Sequence, residues 1–341
     1  MNNQTSKEPR SCVIFGGTGF IGSHFAQYLI TNDLADNVYL ADINPVRPYY
    51  SFDHNKIHYI NVDVRKPIDS SLFPNAVMLI ANFAAVHREP GHENDEYYET
   101  NLYGAENICA FADKLDCEQL IFTSSIAPYG ASESPKDEQS LTAPTSPYGG
   151  SKLAAEKIHQ IWQMANAKAK HLVIVRPGVV FGPGEGGNVT RLIKAVTHRY
   201  FFYMANKETR KAGVYVKELC NAMWWVLQSQ NKTGERVSLF NMSMNPAPSI
   251  KNYVDIVCKI SEFKRHTPSV PYFLLLLISY LIELIAKPMG IKSPFSPVRI
   301  KKLVKSNHIL PNYLINNQYP YLYSLETAFK DWKKDCPEDW R

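Results

Sequence analysis

The sequence predicts an α/β protein with a doubly wound parallel sheet and a smaller, mainly helical C-terminal part. Apolar runs of strand length alternate with amphipathic helices over the first half of the chain, as in repeated strand–helix–strand units. A glycine turn joins the first apolar run to the first helix, and polar residues follow several of the later runs. Beyond Gly182 the alternation gives way to prolines and shorter helices. A chain of 341 residues suits one large domain or two closely joined ones.

The first apolar run, 12–15, leads into a glycine turn and then a helix. Such a turn needs glycines because its backbone angles exclude a Cβ and because the chain must approach a diphosphate closely. The start of the helix adds free N–H groups and the positive end of its dipole. We expect the turn to contact the cofactor through five residues: Gly16, Gly19, Phe20, Ile21 and Gly22.

The second strand, 38–41, ends on Asp42, which supplies the acid expected about 20 residues after such a turn. A carboxylate there can accept both ribose hydroxyls of NAD and would repel the 2′-phosphate of NADP. The alternative is a plain tight turn with an unrelated surface aspartate, which the strand–turn–helix context disfavours. We therefore expect a Rossmann domain that binds NAD.

Four more predicted strands, 56–62, 77–83, 120–123 and 171–175, complete the sheet, with helices at 97–114 and 148–167. Ligands of such sheets lie at the carboxyl ends of the strands. The predicted cofactor contacts at those ends are Asp63, Val64, Phe83, Ala84, Ala85, His87 and Pro177. We assign 11–178, joined by 212–240, to the NAD-binding domain, 179–211 and 241–341 to the substrate domain, and 1–10 to a disordered tail.

Tyr148 and Lys152 are the predicted catalytic pair. Four residues apart, they share a helix face, and an ammonium at that distance favours the phenolate and lowers the pKa of a tyrosine. Such a tyrosine can take a proton from a substrate alcohol while NAD accepts hydride. Lys152 can also hold the nicotinamide ribose. Ser125, at a strand end, can orient the substrate oxygen. The alternative is a surface tyrosine and a solvated lysine. It is disfavoured because the pair follows a strand-end serine within the predicted nucleotide-binding fold.

Together these motifs resemble the extended short-chain dehydrogenase/reductase superfamily, and more narrowly its NAD-dependent epimerase/dehydratase branch. The resemblance rests on Gly16–Gly22, Asp42, Ser124-Ser125 before Tyr129-Gly130, and Ser146-Pro147-Tyr148 to Lys152. It implies that Tyr148 is the acid/base, that Lys152 is its partner, and that Ser125 binds the reacting oxygen. Asn101 matches a position that supports the lysine and the cofactor.

The activity within this branch is less determined. Dehydratases of the family carry an acidic pair where this chain has Ile126-Ala127, so an epimerase, a ketoreductase or a dehydrogenase remains. Asn188, Arg191 and Lys211 fall where relatives bind a nucleotide diphosphate, although Lys211 replaces the usual arginine. Two observations oppose a nucleotide-sugar substrate. Val179 replaces an asparagine that contacts substrate in many sugar-nucleotide epimerases. The segments 273–286 and 323–332 resemble 3β-hydroxysteroid dehydrogenases.

We predict an NAD-dependent epimerase or ketoreductase of a nucleotide sugar. A 3β-hydroxysteroid-type dehydrogenase and a non-catalytic NAD sensor are the alternatives.

The segment 273–286 is strongly apolar but too short to span a membrane, which takes about 20 residues. Two interpretations stay open: a buried helix of the substrate domain, or an interfacial helix in peripheral contact with a membrane, helped by the basic residues 299–305.

Composition limits the other partners. A net charge of +5 without a long basic arm does not favour nucleic acid. Six scattered cysteines favour reduced thiols, a cytoplasmic protein and no metal site. The first nine residues have no apolar core of a signal peptide. The resemblance implies a homodimer that pairs through helices such as the one that begins at Tyr148.

Overall fold

The computed structural model describes residues 9–47, 55–88, 91–130, 132, 134–204, 206–286 and 306–341. Residues 1–8 of the predicted disordered tail lie outside this part of the chain. Arg10, at the end of that tail, is held by an ion pair of 2.8 Å to Asp36.

The described residues form eleven strands. They are β1 (Ser11–Phe15), β2 (Asn37–Asp42), β3 (Ile57–Asn61), β4 (Leu79–Asn82), β5 (Gln119–Thr123), β6 (His171–Pro177), β7 (Val179–Phe181), β8 (Tyr203–Met204), β9 (Gly213–Tyr215), β10 (Val237–Met242) and β11 (Ser269–Val270). Seven of them build one sheet in the order β10-β6-β5-β4-β1-β2-β3, and every pairing is parallel. The predicted doubly wound fold is confirmed.

Nine α-helices lie in the same part of the chain. They are α1 (Phe20–Thr31), α2 (Asn94–Lys114), α3 (Pro147–Met164), α4 (Asn188–Thr197), α5 (Val216–Thr233), α6 (Ile250–Ile260), α7 (Tyr272–Ala286), α8 (Asn312–Asn316) and α9 (Leu325–Asp335). Short 3-10 helices span Ser70–Leu72, Ala127–Tyr129 and Pro337–Trp340.

The continuous apolar run of β1 arises because both faces of the sheet are covered. Cys12 and Ile14 face one core with α1 and α5, whereas Val13 and Phe15 face a second core with α2 and α3. A strand buried on both sides cannot show the alternating pattern of a half-exposed strand.

One feature differs from the sequence-based expectation. The seventh strand, β10, was not predicted as a strand, and it extends to Met242, beyond the expected domain limit at 240. The segment mixes polar and apolar residues, so local periodicity alone did not separate strand from helix.

Beyond the sheet, the C-terminal part pairs β7 with β9 and β8 with β11. Its last helix folds back on these strands, where Trp332 stacks on Phe181 with ring centroids 6.1 Å apart. Lys217, on α5, forms ion pairs of 2.6 Å with Asp331 and Asp335 of α9.

All six cysteines are free. None of the helices in the described part of the chain has the length and apolar character needed to cross a membrane.

Candidate active site

The glycine turn between β1 and α1 is as tight as predicted. Gly16 has φ of +71°, and a Cβ on it would lie 2.6 Å from the backbone nitrogen of Ala84. A Cβ on Gly22 would lie 2.4 Å from the carbonyl oxygen of Gly16. Both positions require glycine because backbone atoms occupy the space of the side chain. The turn therefore packs α1 directly against the ends of β1 and β4.

The start of α1 fits the diphosphate of NAD. Its N-cap, Gly19, makes no side-chain cap, and the first turn from Phe20 and Ile21 holds no acidic residue. A Cβ on Gly19 would contact only the carbonyl oxygen of Gly16, at 3.1 Å, so the space beside it is otherwise open. Uncapped N–H groups beside an open space are what an anion at a helix N-terminus needs.

Asp42 ends β2 next to this turn. Its Oδ1 accepts hydrogen bonds from the backbone and the side-chain amide of Asn44, at 3.0 and 3.4 Å. The carbonyl oxygen of Asn44 in turn accepts from the hydroxyl of Thr18 at 3.1 Å. These bonds fix the carboxylate relative to the glycine turn and use only one of its oxygens, which leaves Oδ2 able to accept from ribose hydroxyls.

Asp63 and Val64, two of the predicted cofactor contacts, follow β3. Both oxygens of Asp63 accept from the Arg65 guanidinium, at 2.9 and 2.8 Å, which lowers the pKa of the carboxyl. The backbone oxygen of Val64 accepts from Asn107 at 2.8 Å. The cofactor role of the two residues stays a prediction, and Asp63 would have to share its carboxylate with Arg65.

Two of the predicted contacts after β4, Phe83 and Ala84, lie against the end of β1 and the glycine turn. The backbone nitrogen of Phe83 donates to Phe15 at 2.9 Å, and Ala84 lies against Gly16. Ala85 is half-buried and His87 is exposed. Small residues here let the backbone approach a ligand above the turn.

Asn101 acts between protein segments. Its oxygen accepts from the backbone of Val86 at 3.0 Å, and its nitrogen donates to the hydroxyl of Ser151 at 2.8 Å. It thereby ties the loop after β4 to α3, one residue before Lys152. The supporting role that the resemblance implied for Asn101 stays a prediction.

Ser125, Tyr148 and Lys152 come from two segments that touch. Ser125 follows β5, and its hydroxyl accepts from the backbone of Ala127 at 3.1 Å. Tyr148 and Lys152 lie one turn apart in α3, next to Gly149. A Cβ on Gly149 would lie 2.8 Å from the carbonyl oxygen of Ala127, so the start of α3 packs directly on the segment that carries Ser125.

Lys152 is buried, with 2% of its surface exposed, and its Nζ lies 4.3 Å from the ring centroid of Phe122. Burial penalises the ammonium and lowers the pKa of Lys152 to about 7, against an opposing contribution from Glu156. The proton of Lys152 is thus bound loosely enough to exchange near neutral pH.

The pKa of Lys152 predicts a pH dependence of stability. Between about pH 7 and pH 10.5 the unfolded chain keeps the proton of Lys152 and the folded chain does not. Stability therefore rises with pH over this window, by about 1.4 kcal/mol per pH unit for one proton. In urea titrations without cofactor, the free energy of unfolding of wild type, taken relative to that of Lys152→Met, should rise by at least about 1 kcal/mol between pH 7.5 and pH 9.5. A difference independent of pH would place the charge of Lys152 in solvent.

A buried polar cluster beneath this site was not predicted from the sequence. Glu156 accepts from the Arg176 guanidinium at 2.8 and 2.6 Å and from the Ser124 hydroxyl at 2.5 Å. Arg176 also lies over the ring of Tyr129, 4.8 Å from its centroid. The signal available in the sequence was a single arginine in the otherwise apolar strand His171–Pro177.

The predicted substrate contacts divide into two places. Asn188 and Arg191 begin α4 together, and the Arg191 guanidinium donates to the Asn188 side chain at 3.1 Å and to the Gly187 carbonyl at 3.0 Å. Lys211 lies on the segment before β9, where its backbone donates to Pro248 at 3.1 Å. Pro177, a predicted cofactor contact, ends β6 and accepts from the backbone of Ile126 at 3.3 Å.

The described residues contain no cluster of three or more His, Cys, Asp or Glu side chains that could hold a metal ion. The side chains of the predicted catalytic residues are a hydroxyl, a phenol and a buried amine.

Comparison with known proteins identifies the family of the chain. The model of the NAD dependent epimerase/dehydratase family matches residues 12–241. A curated relative from Escherichia coli O157:H7, an N-acetyl-alpha-D-glucosaminyl-diphospho-ditrans,octacis-undecaprenol 4-epimerase, is 28% identical over 294 residues, covering 85% of this chain and 84% of the relative.

Two solved structures share the whole fold. UDP-glucuronic acid 4-epimerase from Bacillus cereus in complex with NAD is 17% identical with a TM-score of 0.72, covering 97% of this chain and 100% of that chain. UDP-N-acetylglucosamine 4-epimerase from Methanobrevibacter ruminantium M1 in complex with UDP-N-acetylmuramic acid is 18% identical with a TM-score of 0.73, covering 98% of both chains. At these identities the two structures are evidence for the fold alone.

Proposed function

Because the chain belongs to the NAD dependent epimerase/dehydratase family, we propose that it is a 4-epimerase acting on a sugar attached to a diphosphate. The observation that carries the proposal is the close packing of the segment that carries Ser125, through Ala127, against the turn of α3 that holds Tyr148 and Lys152. NAD, the cofactor predicted from Asp42, is also the one for which the family is named.

The residues have distinct tasks in this proposal. NAD, when bound, accepts a hydride from the sugar carbon and returns it. Tyr148 removes the proton of the 4-hydroxyl and gives it back to the same oxygen, which is general acid–base catalysis. Ser125 donates a hydrogen bond to that oxygen in its ketone form. Lys152 supplies a nearby positive charge when protonated, and Asn101 holds its turn of α3 against the loop after β4.

The diphosphate would lie at the start of α4. Arg191 is exposed, and its present hydrogen bonds are to the first turn of its own helix. A guanidinium placed there can exchange these bonds for two to a diphosphate oxygen pair, which is the geometry that arginine favours. Lys211 would add a point charge from the segment before β9.

Two carriers for the sugar are compatible with this site. A nucleoside diphosphate is the carrier predicted from the sequence. A polyprenyl diphosphate is the second candidate, since the relative that aligns with 85% of this chain is named for such a substrate. The exposed apolar surface of α7 favours this second carrier.

The other sequence-based predictions remain predictions. The 3β-hydroxysteroid-type dehydrogenase and the cofactor sensor are alternatives that the site geometry does not favour over the epimerase. The cytoplasmic location is a prediction. So is the homodimer, which exposed Tyr103, Ile161 and Met164 on α2 and α3 support.

The test is an epimerisation assay with the full chain and NAD. UDP-N-acetylglucosamine and N-acetylglucosaminyl-diphospho-undecaprenol in detergent are supplied in parallel, and the C4 epimer is detected by NMR. We expect epimer from at least one carrier, with NAD needed only in catalytic amount. No epimer from either carrier, or product formed one for one with NADH, would contradict the proposal.

A further inference from the structure

The helix α7 concentrates the exposed apolar surface of the protein. Of the nineteen large apolar or aromatic side chains that are exposed in the described part of the chain, eight belong to this one helix. Phe273 and Leu284 are each 72% exposed and Leu277 is 54% exposed. Contiguous exposed apolar surface of this kind marks an interaction site in a folded protein.

Six of the eight exposed side chains of α7 lie on one face, and Tyr272 and Tyr280 lie outside it. At about 100° per residue, the six fall within about 140° of the helix circumference. These six are Phe273, Leu274, Leu277, Ile278, Leu281 and Leu284. The buried residues Leu275 and Ser279 point to the opposite side. Glu283, the only charged residue of α7, lies about 150° from the centre of the exposed face. The face is therefore apolar throughout.

Basic residues precede and follow α7 in the sequence. The nineteen residues after the helix, 287–305, contain six Lys or Arg and no Asp or Glu. Before the helix, Lys264 is exposed, and Arg199 lies over the ring of Phe263, 5.5 Å from its centroid. An exposed apolar helix face in a basic stretch of sequence matches a surface that is apolar inside and anionic outside.

The helix also belongs to the part of the chain that would bind the substrate. β11 ends two residues before α7 and pairs with β8, the next strand after α4. Arg265 donates to the backbone of Phe201, which reinforces this connection at 2.5 Å. An occupant of the α7 face would thus be attached to the same unit as Asn188 and Arg191.

We propose that the exposed face of α7 docks the enzyme on an anionic phospholipid bilayer, lying in the interface with its axis along the membrane. This inference rests on the proposed function, for which it identifies the membrane as the source of the sugar diphosphate. A second copy of the chain is a less suitable occupant. The helices α2 and α3 offer another exposed apolar surface for pairing, with Tyr103, Ile161 and Met164.

The test measures binding of the full chain to sucrose-loaded vesicles of phosphatidylglycerol and phosphatidylethanolamine by cosedimentation. The variant Leu277→Glu/Leu284→Glu should reduce the vesicle-bound to free ratio at least tenfold, because two charges enter the apolar interior. Leu141→Glu, the same change at a leucine that is 87% exposed outside α7, should bind as wild type does.

Each result separates docking from catalysis. Epimerisation without vesicles, measured with whichever of the two carriers reacts in the epimerisation assay, should be the same in Leu277→Glu/Leu284→Glu and wild type. Absence of epimer from both carriers would show that the proposed function has failed, and it would leave the vesicle-binding result unaffected. Wild type that stays in the supernatant, or a variant that sediments as wild type does, overturns the docking proposal. Conversion of a dimer to a monomer by the α7 variant in analytical ultracentrifugation, without vesicle binding by wild type, would assign the face to a second copy.

Discussion

Replacing Tyr148 with phenylalanine is expected to lower kcat by about 10²–10⁴-fold, which is the usual contribution of a general acid–base group. The change removes one hydroxyl from the first turn of α3 and keeps the ring, which lies 6.2 Å from the Tyr97 ring, centroid to centroid. NAD affinity should change by no more than a few-fold, because the glycine turn and Asp42 are untouched. Initial rates and equilibrium binding of NAD measure the two effects separately.

Tyr98→Phe is the matched control for this prediction. Tyr98 stands on α2, and its hydroxyl lies 3.1 Å from the position of a Cβ on Gly150, close to the same turn of α3. Loss of that hydroxyl should leave kcat within a few-fold of wild type. Equal losses in both variants would point to general disturbance of α3, and full activity of Tyr148→Phe would remove Tyr148 from the chemistry.

Breaking the buried ion pair beneath the site should have the largest effect on stability. In Glu156→Met, the Arg176 guanidinium stays buried without its carboxylate, which costs about 3–5 kcal/mol for a pair of this kind. The side chains of Glu156 and Arg176 are 1% and 5% exposed, so water cannot replace the lost partner. Urea unfolding measures the free-energy difference directly.

The double variant Glu156→Met/Arg176→Met tests the reason for that loss. It removes both charges and should recover a large part of the stability, because the uncompensated guanidinium is gone. Asp255→Ala, which breaks an exposed pair with Lys251, should cost less than about 1 kcal/mol. A double variant less stable than Glu156→Met would show that packing, and not the unpaired charge, dominates.

The cluster around Glu156 also marks a limit of the sequence analysis. Glu156 stands four residues after Lys152 and Arg176 lies twenty residues further, and only the packing of α3 on the sheet brings them together. No local pattern reports such a contact. The glycine turn, Asp42 and the Tyr148–Lys152 spacing were predictable because each one is a short-range constraint of backbone geometry or helix periodicity.

The helix α7 illustrates a second limit. An apolar run of its length is typical of a buried helix, and periodicity does not tell whether a neighbour covers it. The structure leaves six apolar side chains of one face exposed, so a fully buried helix, one of the two interpretations, is wrong. The exposed face fits the interfacial interpretation, for which vesicle binding is the test.

The positions of the predicted substrate-binding residues could be given from the sequence, but their arrangement in space could not. Asn188 and Arg191 share the first turn of α4, as their spacing requires. Lys211 precedes a strand that pairs with β7, and that pairing joins segments more than thirty residues apart. Long-range pairings of short strands depend on tertiary contacts, which is why β7, β8 and β11 had no sequence signal.

The most direct test of the central claim follows deuterium placed at C4 of the sugar substrate in the epimerisation assay. If the reaction is oxidation and reduction at C4 with Tyr148 handling only the hydroxyl proton, the epimer retains deuterium at C4 in ordinary water. Product that has lost deuterium to solvent would show that a base removes the C4 hydrogen as a proton, and would contradict the account.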